Sequence, residues 1–291
     1  MLPPPPSPTP TGLFVEPGGE TRAAHLLALF KLTPGGDQPG IQLVVKADGL
    51  WLRDSRDPKR KPFQPSFSLP ALRVTRREPL ARALGRTVRS VVDATAGLGG
   101  DALRLAGLGC TVIAVERSPW IAALLDDALA RLRAGAGTLA DLAGRITLIH
   151  ADAREFLANH EDRPDAVYLD PMFPPKRRKR AAVRKELLWL RELAGDDPDA
   201  DALLSAALAA ARERVIVKRP DHAPPIGLKP QPVRPCTVAL DSILESRRGP
   251  QTRDGLIADS PLGPKPTVSY PGKLVRYDVY RTDLFRQAPR E

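Results

Sequence analysis

The middle of the chain repeats one pattern, in which a short apolar segment is followed by a turn and then by a helical segment. The apolar segments predict strands at Ser90–Asp93, Thr111–Val115, Ile146–Ile149, Ala166–Leu169 and Arg214–Val217. Helices are predicted at Asp101–Ala106, Pro119–Leu132, Val183–Leu193 and Ala200–Arg212. Because the strands are apolar throughout, we predict a parallel sheet that helices cover on both faces. Ligands bind such sheets at the carboxyl ends of the strands, so the residues just after each strand are the first candidates for function.

The flanking regions predict a smaller N-terminal part and a long insertion. Residues 1–20 are rich in Pro, Gly and Thr and are predicted to be a disordered lead-in. Residues 21–85 are predicted to form a subdomain with a helix at Arg22–Leu32, a β-hairpin at Ile41–Arg53 and a short helix at Pro79–Leu84. The large domain then spans residues 86–291. Within it, residues 228–270 are predicted to be a flexible Pro/Arg-rich insertion, followed by a closing strand at Lys273–Tyr280.

Composition narrows the class of protein. No apolar run approaches the ~20 residues that a membrane helix needs, and the N-terminus has no basic and apolar signal pattern. The two cysteines cannot form a disulfide framework or a four-cysteine metal site, and the four histidines show no metal-ligand spacing, so we expect no metal. We therefore expect a cytoplasmic protein without a membrane partner. The net charge of +10 favours an anionic partner, with nucleic acid first.

The loop after the first strand has the composition of a nucleotide-binding turn. It reads Asp93-Ala-Thr-Ala-Gly97-Leu-Gly99-Gly100-Asp101. Glycines let the backbone turn tightly and approach a ligand, and the amides of the next helix favour anionic groups. Glu116 follows the second strand about 20 residues after Gly97, where a carboxylate can accept the hydroxyls of an adenosine ribose. Asp152 follows the third strand, where an acid can meet an adenine edge. These residues indicate a nucleotide cofactor but do not choose between NAD and S-adenosylmethionine.

The end of the fourth strand favours S-adenosylmethionine. The segment Asp170-Pro171-Met172-Phe173-Pro174 resembles the Asp/Asn-Pro-Pro-aromatic motif of methyltransferases that act on exocyclic amines of bases. The lone pair of an aryl amine is delocalised into its ring, so the amine is a poor nucleophile. The carboxylate of Asp170 and the backbone carbonyl at Pro171 can accept the two amine N–H bonds and orient the lone pair towards a methyl donor. Phe173 offers a face on which a flipped base can stack.

Basic residues follow this motif and the fifth strand. The predicted RNA-binding residues are Lys176, Arg177, Arg178, Lys179, Arg180, Arg184, Lys218 and Arg219. Cations next to the pocket would bind phosphates and bring a base to it.

Several segments together resemble one family, the ribosomal RNA small subunit methyltransferase J family. The resemblance is carried by Val91–Gly99, Gly109-Cys110, Ala122–Asp127, Leu148–Ala151, Val167–Pro174 and Val217–Asp221. It implies a Rossmann-like class I fold with a seven-stranded, mostly parallel sheet, S-adenosylmethionine as cofactor and guanine-N2 methylation of 16S ribosomal RNA. It also implies cofactor contacts at Gly100, Asp101, Glu116, Arg117, Asp152, Ala153 and Asp170. The chain departs from the family pattern at Gly100, Asp152 and Ala153.

We therefore expect an rRNA (guanine-N2-)-methyltransferase that acts on small-subunit rRNA or on the assembled subunit. Asp170, Pro171 and Phe173 would hold the base. Two other interpretations remain at this point. An NAD-dependent oxidoreductase shares the glycine loop and Glu116, and a non-catalytic RNA-binding or ribosome assembly protein could keep the same fold.

Overall fold

A computed structural model describes residues 10–171, 193, 199–221, 223–226, 265–272 and 275–284 of the chain. Its main feature is a seven-stranded sheet, which confirms the predicted α/β class. The strands are β4 (Ser90–Asp93), β5 (Thr111–Glu116), β6 (Ile146–His150), β7 (Ala166–Leu169), β8 (Arg214–Pro220), β9 (Val268–Pro271) and β10 (Val275–Arg281). Their order is β6-β5-β4-β7-β8-β10-β9. Neighbouring strands from β6 to β8 run parallel, whereas β10 is antiparallel to both β8 and β9.

Helices cover both faces of this sheet, as the continuous apolar strands predict. They are α4 (Gly100–Gly107), α5 (Pro119–Ala134), α6 (Thr138–Gly144), α7 (Ala153–Asn159) and α8 (Ala200–Ala210). The short helices α6 and α7 were not predicted. One core packs α4 and α6 against the sheet around Tyr168, and the other packs α7 and α8 around Val167. Adjacent residues of β7 thus face opposite cores. The strand order changes direction between β4 and β7, in the middle of the sheet, and ligands bind α/β sheets at such a switch point.

A second, three-stranded sheet forms the predicted N-terminal β-containing part. Its strands are β1 (Leu13–Val15), β2 (Ile41–Lys46) and β3 (Gly49–Asp54), and α1 (Glu20–Phe30) packs beside them. The hairpin prediction is confirmed. The prediction of a disordered lead-in is wrong for its last part, because β1 pairs in parallel with β2 and buries Leu13. The Pro-rich composition hides this three-residue strand, whose pairing partner lies about 30 residues further along the chain.

The segment between the hairpin and the large sheet packs with the large sheet. It contains α2 (Leu69–Leu72) and the predicted helix α3 (Pro79–Leu84). Leu72, Leu80 and Leu84 are buried in the same core as Tyr168. The structure therefore places α2 and α3 with the large sheet rather than with the N-terminal subdomain of residues 21–85.

The end of the predicted insertion is also ordered. Strand β9 includes residues 268–270, which we expected to be part of a flexible insertion, and it pairs with β10 at the sheet edge. Residues 228–264 of the insertion and the predicted helix Val183–Leu193, except for Leu193, lie outside the described residues. In the described ranges, the longest helix has 16 residues, and none has the length and apolar character to cross a bilayer.

A buried carboxylate joins the N-terminal part to the large domain. Asp127 on α5 has a fully buried side chain and accepts hydrogen bonds from Arg22 on α1 and from Nε of Arg131, the latter at 2.8 Å. Arg131 also donates to the carbonyl oxygen of Pro65 at 2.7 Å. One carboxylate therefore holds α1, and through Arg131 it also fixes the chain at Pro65.

Asp127→Ala is expected to lower the free energy of unfolding by about 2 to 3 kcal/mol, because it leaves two arginines without their buried acceptor. Urea unfolding followed by circular dichroism measures the change. Asp126→Ala is the matched control. The carboxylate of Asp126 is 26% exposed, and its Oδ2 lies 3.6 Å from Nε2 of His25. That exposed contact is worth less than about 1 kcal/mol. Equal losses in both variants would contradict this account of the junction.

Candidate active site

A cavity of about 1130 Å³ lies at the carboxyl ends of β4, β5 and β7 and extends past the end of β6. Most of the residues predicted from the sequence to form a site meet there. Its wall contains Asp93, Gly97, Gly100, Asp101, Glu116, Arg117, Asp152, Ala153, Asp170 and Lys218. Gly99 belongs to the same loop but does not line the cavity. The cavity thus coincides with the switch point of the sheet, where α/β proteins bind nucleotides.

The turn from β4 into α4 requires glycine at two positions. Gly97 and Gly99 have φ angles of +53° and +82°, which L-residues with a Cβ rarely adopt. A Cβ on Gly99 would also lie 2.5 Å from Cδ1 of Leu125. Gly100 differs, because it is the first residue of α4 and a Cβ there would meet nothing within 4 Å. The departure from the family pattern at Gly100 therefore sits at a position that has room for a side chain.

Glu116 at the end of β5 fastens this turn. The side chain is nearly buried, and its Oε2 accepts the N–H of Gly97 at 2.9 Å while Oε1 accepts the N–H of Ser118 at 2.8 Å. A carboxylate can accept about four hydrogen bonds, so these amide contacts are compatible with ribose hydroxyls as further donors. Glu116 therefore connects the glycine turn with the start of α5 and faces the cavity.

Ion pairs form one rim of the cavity beyond β5 and β6. Asp152 caps α7 and accepts hydrogen bonds from the backbone and guanidinium of Arg154, which lower the pKa of the carboxyl to about 2. Arg154 also lies 3.3 Å from Asp199, which in turn lies 3.5 Å from Arg117. These pairs join α7, the end of β5 and the start of α8. The carboxylate of Asp152 is thus engaged by Arg154, and Ala153 beside it supplies an apolar surface of the cavity.

Lys218 lies between two carboxylates at the centre of the cavity. Its Nζ donates to Oδ2 of Asp101 at 2.6 Å and to Oδ2 of Asp170 at 2.8 Å, and Tyr168 donates to Oδ2 of Asp101 at 2.7 Å. Burial opposes the charged form of Lys218, but Asp170 and Asp101 outweigh it and raise the pKa of the ammonium. Burial likewise opposes ionisation of Asp101, and Lys218 outweighs it, so the pKa of Asp101 is lowered.

Two of the predicted RNA-binding residues make contacts inside the protein. Lys218 is directed to Asp101 and Asp170 inside the cavity rather than to a phosphate outside it. Arg219 is only 4% exposed and donates to the carbonyl oxygen of Pro224. Along β8, these residues face into the protein, which the two adjacent cations in the sequence do not reveal. The other predicted RNA-binding residues, Lys176–Arg180 and Arg184, lie outside the described residues, as does Phe173.

Asp170 is the first residue after β7, and its position is fixed from two sides. Its backbone N–H donates to Oγ1 of Thr95 at 2.6 Å, and its carboxylate contacts Lys218. The side chain is 38% exposed, so it remains accessible from the cavity. Pro171 follows and is buried. The carboxylate predicted to hold an amine therefore lies in the same cavity as the glycine turn.

Asp93, at the end of β4, is the most deeply buried acid of the cavity wall, at 1% exposure. Burial, and after it the charge of Asp101, raises the pKa of Asp93 well above its ordinary value. Its Oδ1 accepts the N–H of Thr95 at 3.2 Å. Burial thus disfavours the ionised form of Asp93.

One wall of the cavity was missed by the sequence analysis. Residues 63–72, between the hairpin and the end of α2, contribute Phe63, Phe67 and Leu72 to the wall. Arg131 on α5 fixes this segment through the carbonyl of Pro65. The segment has no regular hydrophobic period and lies far in sequence from β4, so only its two aromatic residues in a loop could have indicated a site.

The comparisons with known proteins agree with this geometry. The profile of the SAM-dependent methyltransferase family SAM_MT matches residues 25–235. A ribosomal RNA small subunit methyltransferase J from Thioalkalivibrio sulfidiphilus is 40% identical over 274 residues, which cover 90% of this chain and 93% of that protein. The chain belongs to the ribosomal RNA small subunit methyltransferase J family.

Other members of the methyltransferase J family and one solved structure give the same result. The relative from Edwardsiella ictaluri is 46% identical over 224 residues, which cover 74% of this chain and 89% of that protein. The crystal structure of a SAM-dependent methyltransferase from Neisseria gonorrhoeae is 26% identical, with a TM-score of 0.65 over 93% of this chain and 95% of that one. The class I methyltransferase fold expected from the resemblance is therefore confirmed, and S-adenosylmethionine is the cofactor of the family.

The chemistry of the cavity fits S-adenosylmethionine. Glu116 has the place and acceptor capacity for ribose hydroxyls, and Ile121, Leu98 and Ala153 offer apolar surface for an adenine ring. At the other end, Asp101 and Asp170 flank Lys218 near Asp93. Asp101 and Asp170 together carry one negative charge more than Lys218 compensates, which suits a ligand with a positively charged sulfonium and ammonium. When bound there, the cofactor would supply an electrophilic methyl group.

Gly99→Ala is expected to lower the free energy of unfolding by about 1 to 3 kcal/mol, because alanine is strained at a positive φ angle and its Cβ meets Leu125. The affinity for S-adenosylmethionine should fall as well, since the glycine turn shapes the cavity wall. Thermal unfolding and calorimetric titration measure the two effects. Gly100→Ala should keep a stability close to that of the unchanged protein, and equal destabilisation by both variants would show that the turn does not require Gly99.

Asp93→Asn is expected to stabilise the protein increasingly as pH rises. The pKa of Asp93 is raised in the folded state, so protonated Asp93 contributes stability. This contribution is complete below the ordinary pKa of 3.8, and the wild type loses it as the pH rises towards the folded-state pKa. Asparagine resembles the protonated acid and lacks this loss. Urea unfolding at a series of pH values measures it, with the exposed Asp162→Asn as control. Parallel pH profiles for Asp93→Asn and the wild type would refute it.

Proposed function

We propose that this protein transfers a methyl group from S-adenosylmethionine to the exocyclic N2 amine of a guanosine in 16S ribosomal RNA. The observation that carries the proposal is the position of Asp170. It follows β7, contacts Lys218 and Thr95, and faces a cavity whose other end is formed by the glycine turn and Glu116. The name shared by the relatives supports the rRNA substrate.

Asp170 would act on the amine by accepting one of its N–H bonds. The second N–H is directed to a backbone carbonyl of the same loop, which leaves the nitrogen lone pair pointing to the methyl donor. As positive charge develops on the nitrogen, the carboxylate stabilises it. No strong base is needed, because the amine proton becomes acidic only once the nitrogen carries the new methyl group.

Lys218 and its partners would position Asp170 for this task. The ammonium holds Oδ2 of Asp170 and is held in turn by Asp101, which also accepts the Tyr168 hydroxyl hydrogen bond. This chain of contacts fixes the carboxylate against the sheet. Phe63 and Phe67 close the opposite wall, so the reacting groups are partly shielded from water.

The family membership speaks against the oxidoreductase interpretation, because the members of the family are S-adenosylmethionine-dependent methyltransferases rather than dehydrogenases. A measurement of rRNA methylation distinguishes this proposal from the non-catalytic interpretation. A protein that only assists assembly would bind rRNA without changing its mass.

Asp170→Ala is expected to lower methylation at least about 100-fold at saturating S-adenosylmethionine, because the amine loses its charged acceptor. The measurement is single-turnover mass mapping of unmethylated 16S rRNA, offered both as naked RNA and as the assembled small subunit. Asp221→Ala removes an exposed carboxylate just beyond β8 and should retain the wild-type rate. An unchanged rate in Asp170→Ala would refute the assigned role, and an unchanged rRNA mass with the wild type on both substrates would refute the proposed function.

A further inference from the structure

Three exposed arginines follow directly on the segment that lines the cavity. Arg73 comes after the last residue of α2, and Arg76 and Arg77 lie between α2 and α3. Ala71 and Leu72, immediately before them, belong to the cavity wall. The chain therefore leaves the cavity and at once presents three guanidinium groups to solvent. We call Arg76 and Arg77 the arginine edge.

The chain leaving these arginines stays at the cavity side of the sheet. Pro79, the first residue of α3, has its Cγ 3.6 Å from the Cβ position of Gly272, in the turn between β9 and β10. Val275, on the other side of that turn, lines the cavity. From there α3 runs to the opposite side of the sheet, because Gly85 after its end lies next to the guanidinium of Arg214 at the start of β8. Arg76 and Arg77, which directly precede Glu78 and Pro79, are thus on the same side of the sheet as Asp170. Arg73 instead lies beside Gly107 at the other end of α4.

The charge of the arginine edge is not neutralised within the described part of the chain. No ion pair joins Arg73, Arg76 or Arg77 to a described acidic residue. The nearest acid in sequence, Glu78, accepts hydrogen bonds from Arg104 at 3.1 Å and from the N–H of Thr75 at 2.9 Å. Lys218 and Arg219, which the sequence suggested for RNA binding, are directed inwards.

We propose that the arginine edge is the docking surface for the phosphate backbone of the RNA strand that carries the target guanosine. Guanidinium groups bind phosphates in a bidentate manner, and unpaired exposed cations can do so without first breaking an internal ion pair. The exposed Ser66 and Ser68 add hydroxyl donors on the same segment. The backbone is held at the rim while the base enters the cavity. This inference rests on the proposed function for the identity of the RNA.

The test compares two pairs of arginines that remove the same charge from opposite sides of the sheet. Arg76→Gln with Arg77→Gln removes the two cations of the arginine edge. Arg86→Gln with Arg145→Gln removes two exposed cations near the amino ends of β4 and β6. Binding of 16S rRNA is measured by filter binding at several salt concentrations. S-adenosylmethionine binding to each variant, measured by calorimetry, reports whether the cavity is intact.

The arginine-edge variant is expected to bind the RNA about ten-fold more weakly, with the slope of log affinity against log salt concentration reduced by about 1 to 2. The variant at the opposite side should keep the wild-type slope, and both should bind S-adenosylmethionine as the wild type does. Equal losses of RNA affinity in the two variants, or no loss in either, would overturn the inference.

Other outcomes separate this inference from the proposed function. If the wild type binds the RNA through the arginine edge but leaves its mass unchanged, the proposed function fails and the docking surface stands. If the arginine-edge variant loses methylation of the assembled subunit only, with its binding and methylation of naked RNA unchanged, the arginines contact a ribosomal protein and the inference is overturned.

Discussion

The ammonium group of Lys218 lies between the carboxylates of Asp101 and Asp170, and the arrangement of the site depends on these two contacts. Asp101 belongs to the first turn of α4, Asp170 follows β7, and Lys218 is on β8. One side chain thus joins three elements at the switch point of the sheet. A partly buried pair of acids without this cation would repel each other and favour protonation. Lys218 therefore offsets the repulsion between the two acids and holds Asp170 at the end of the cavity away from Glu116.

Glu116 has a comparable structural role at the other end of the cavity. Its carboxylate accepts the N–H of Gly97 and the N–H of Ser118, so one side chain fixes both the glycine turn and the start of α5. The left-handed conformations of Gly97 and Gly99 allow the chain to enter α4 close to Leu125. The cofactor end is therefore preorganised by the protein itself. A ligand that binds there meets a surface whose backbone is already ordered, which lowers the entropic cost of binding.

The N-terminal part completes the cavity from outside the sheet. Asp127 holds α1 and Arg131, and Arg131 fixes the chain at Pro65 beside Phe63 and Phe67. The same chain then passes through α2 to the arginine edge. A single run of residues therefore contributes to closing the pocket and to the surrounding positive surface. This arrangement gives a physical reason for the N-terminal part, since it supplies Phe63 and Phe67 to the lining of the cavity.

The sequence by itself determined the α/β class, the central strands and the side of the sheet that carries the site. Continuous apolar strands can be buried only between two layers of helices, and parallel strands bring Asp93, Glu116, Asp152 and Asp170 to one edge. Local chemistry also identified the glycine turn, because few residues other than glycine adopt positive φ angles. Tertiary structure alone decided where the long cationic side chains point. Lys218 and Arg219 are directed inwards, whereas Arg73, Arg76 and Arg77 remain at the surface. Such directions depend on partners that are distant in the chain, as does the pairing of β1 with β2. A charge pattern along one segment carries no information about those partners.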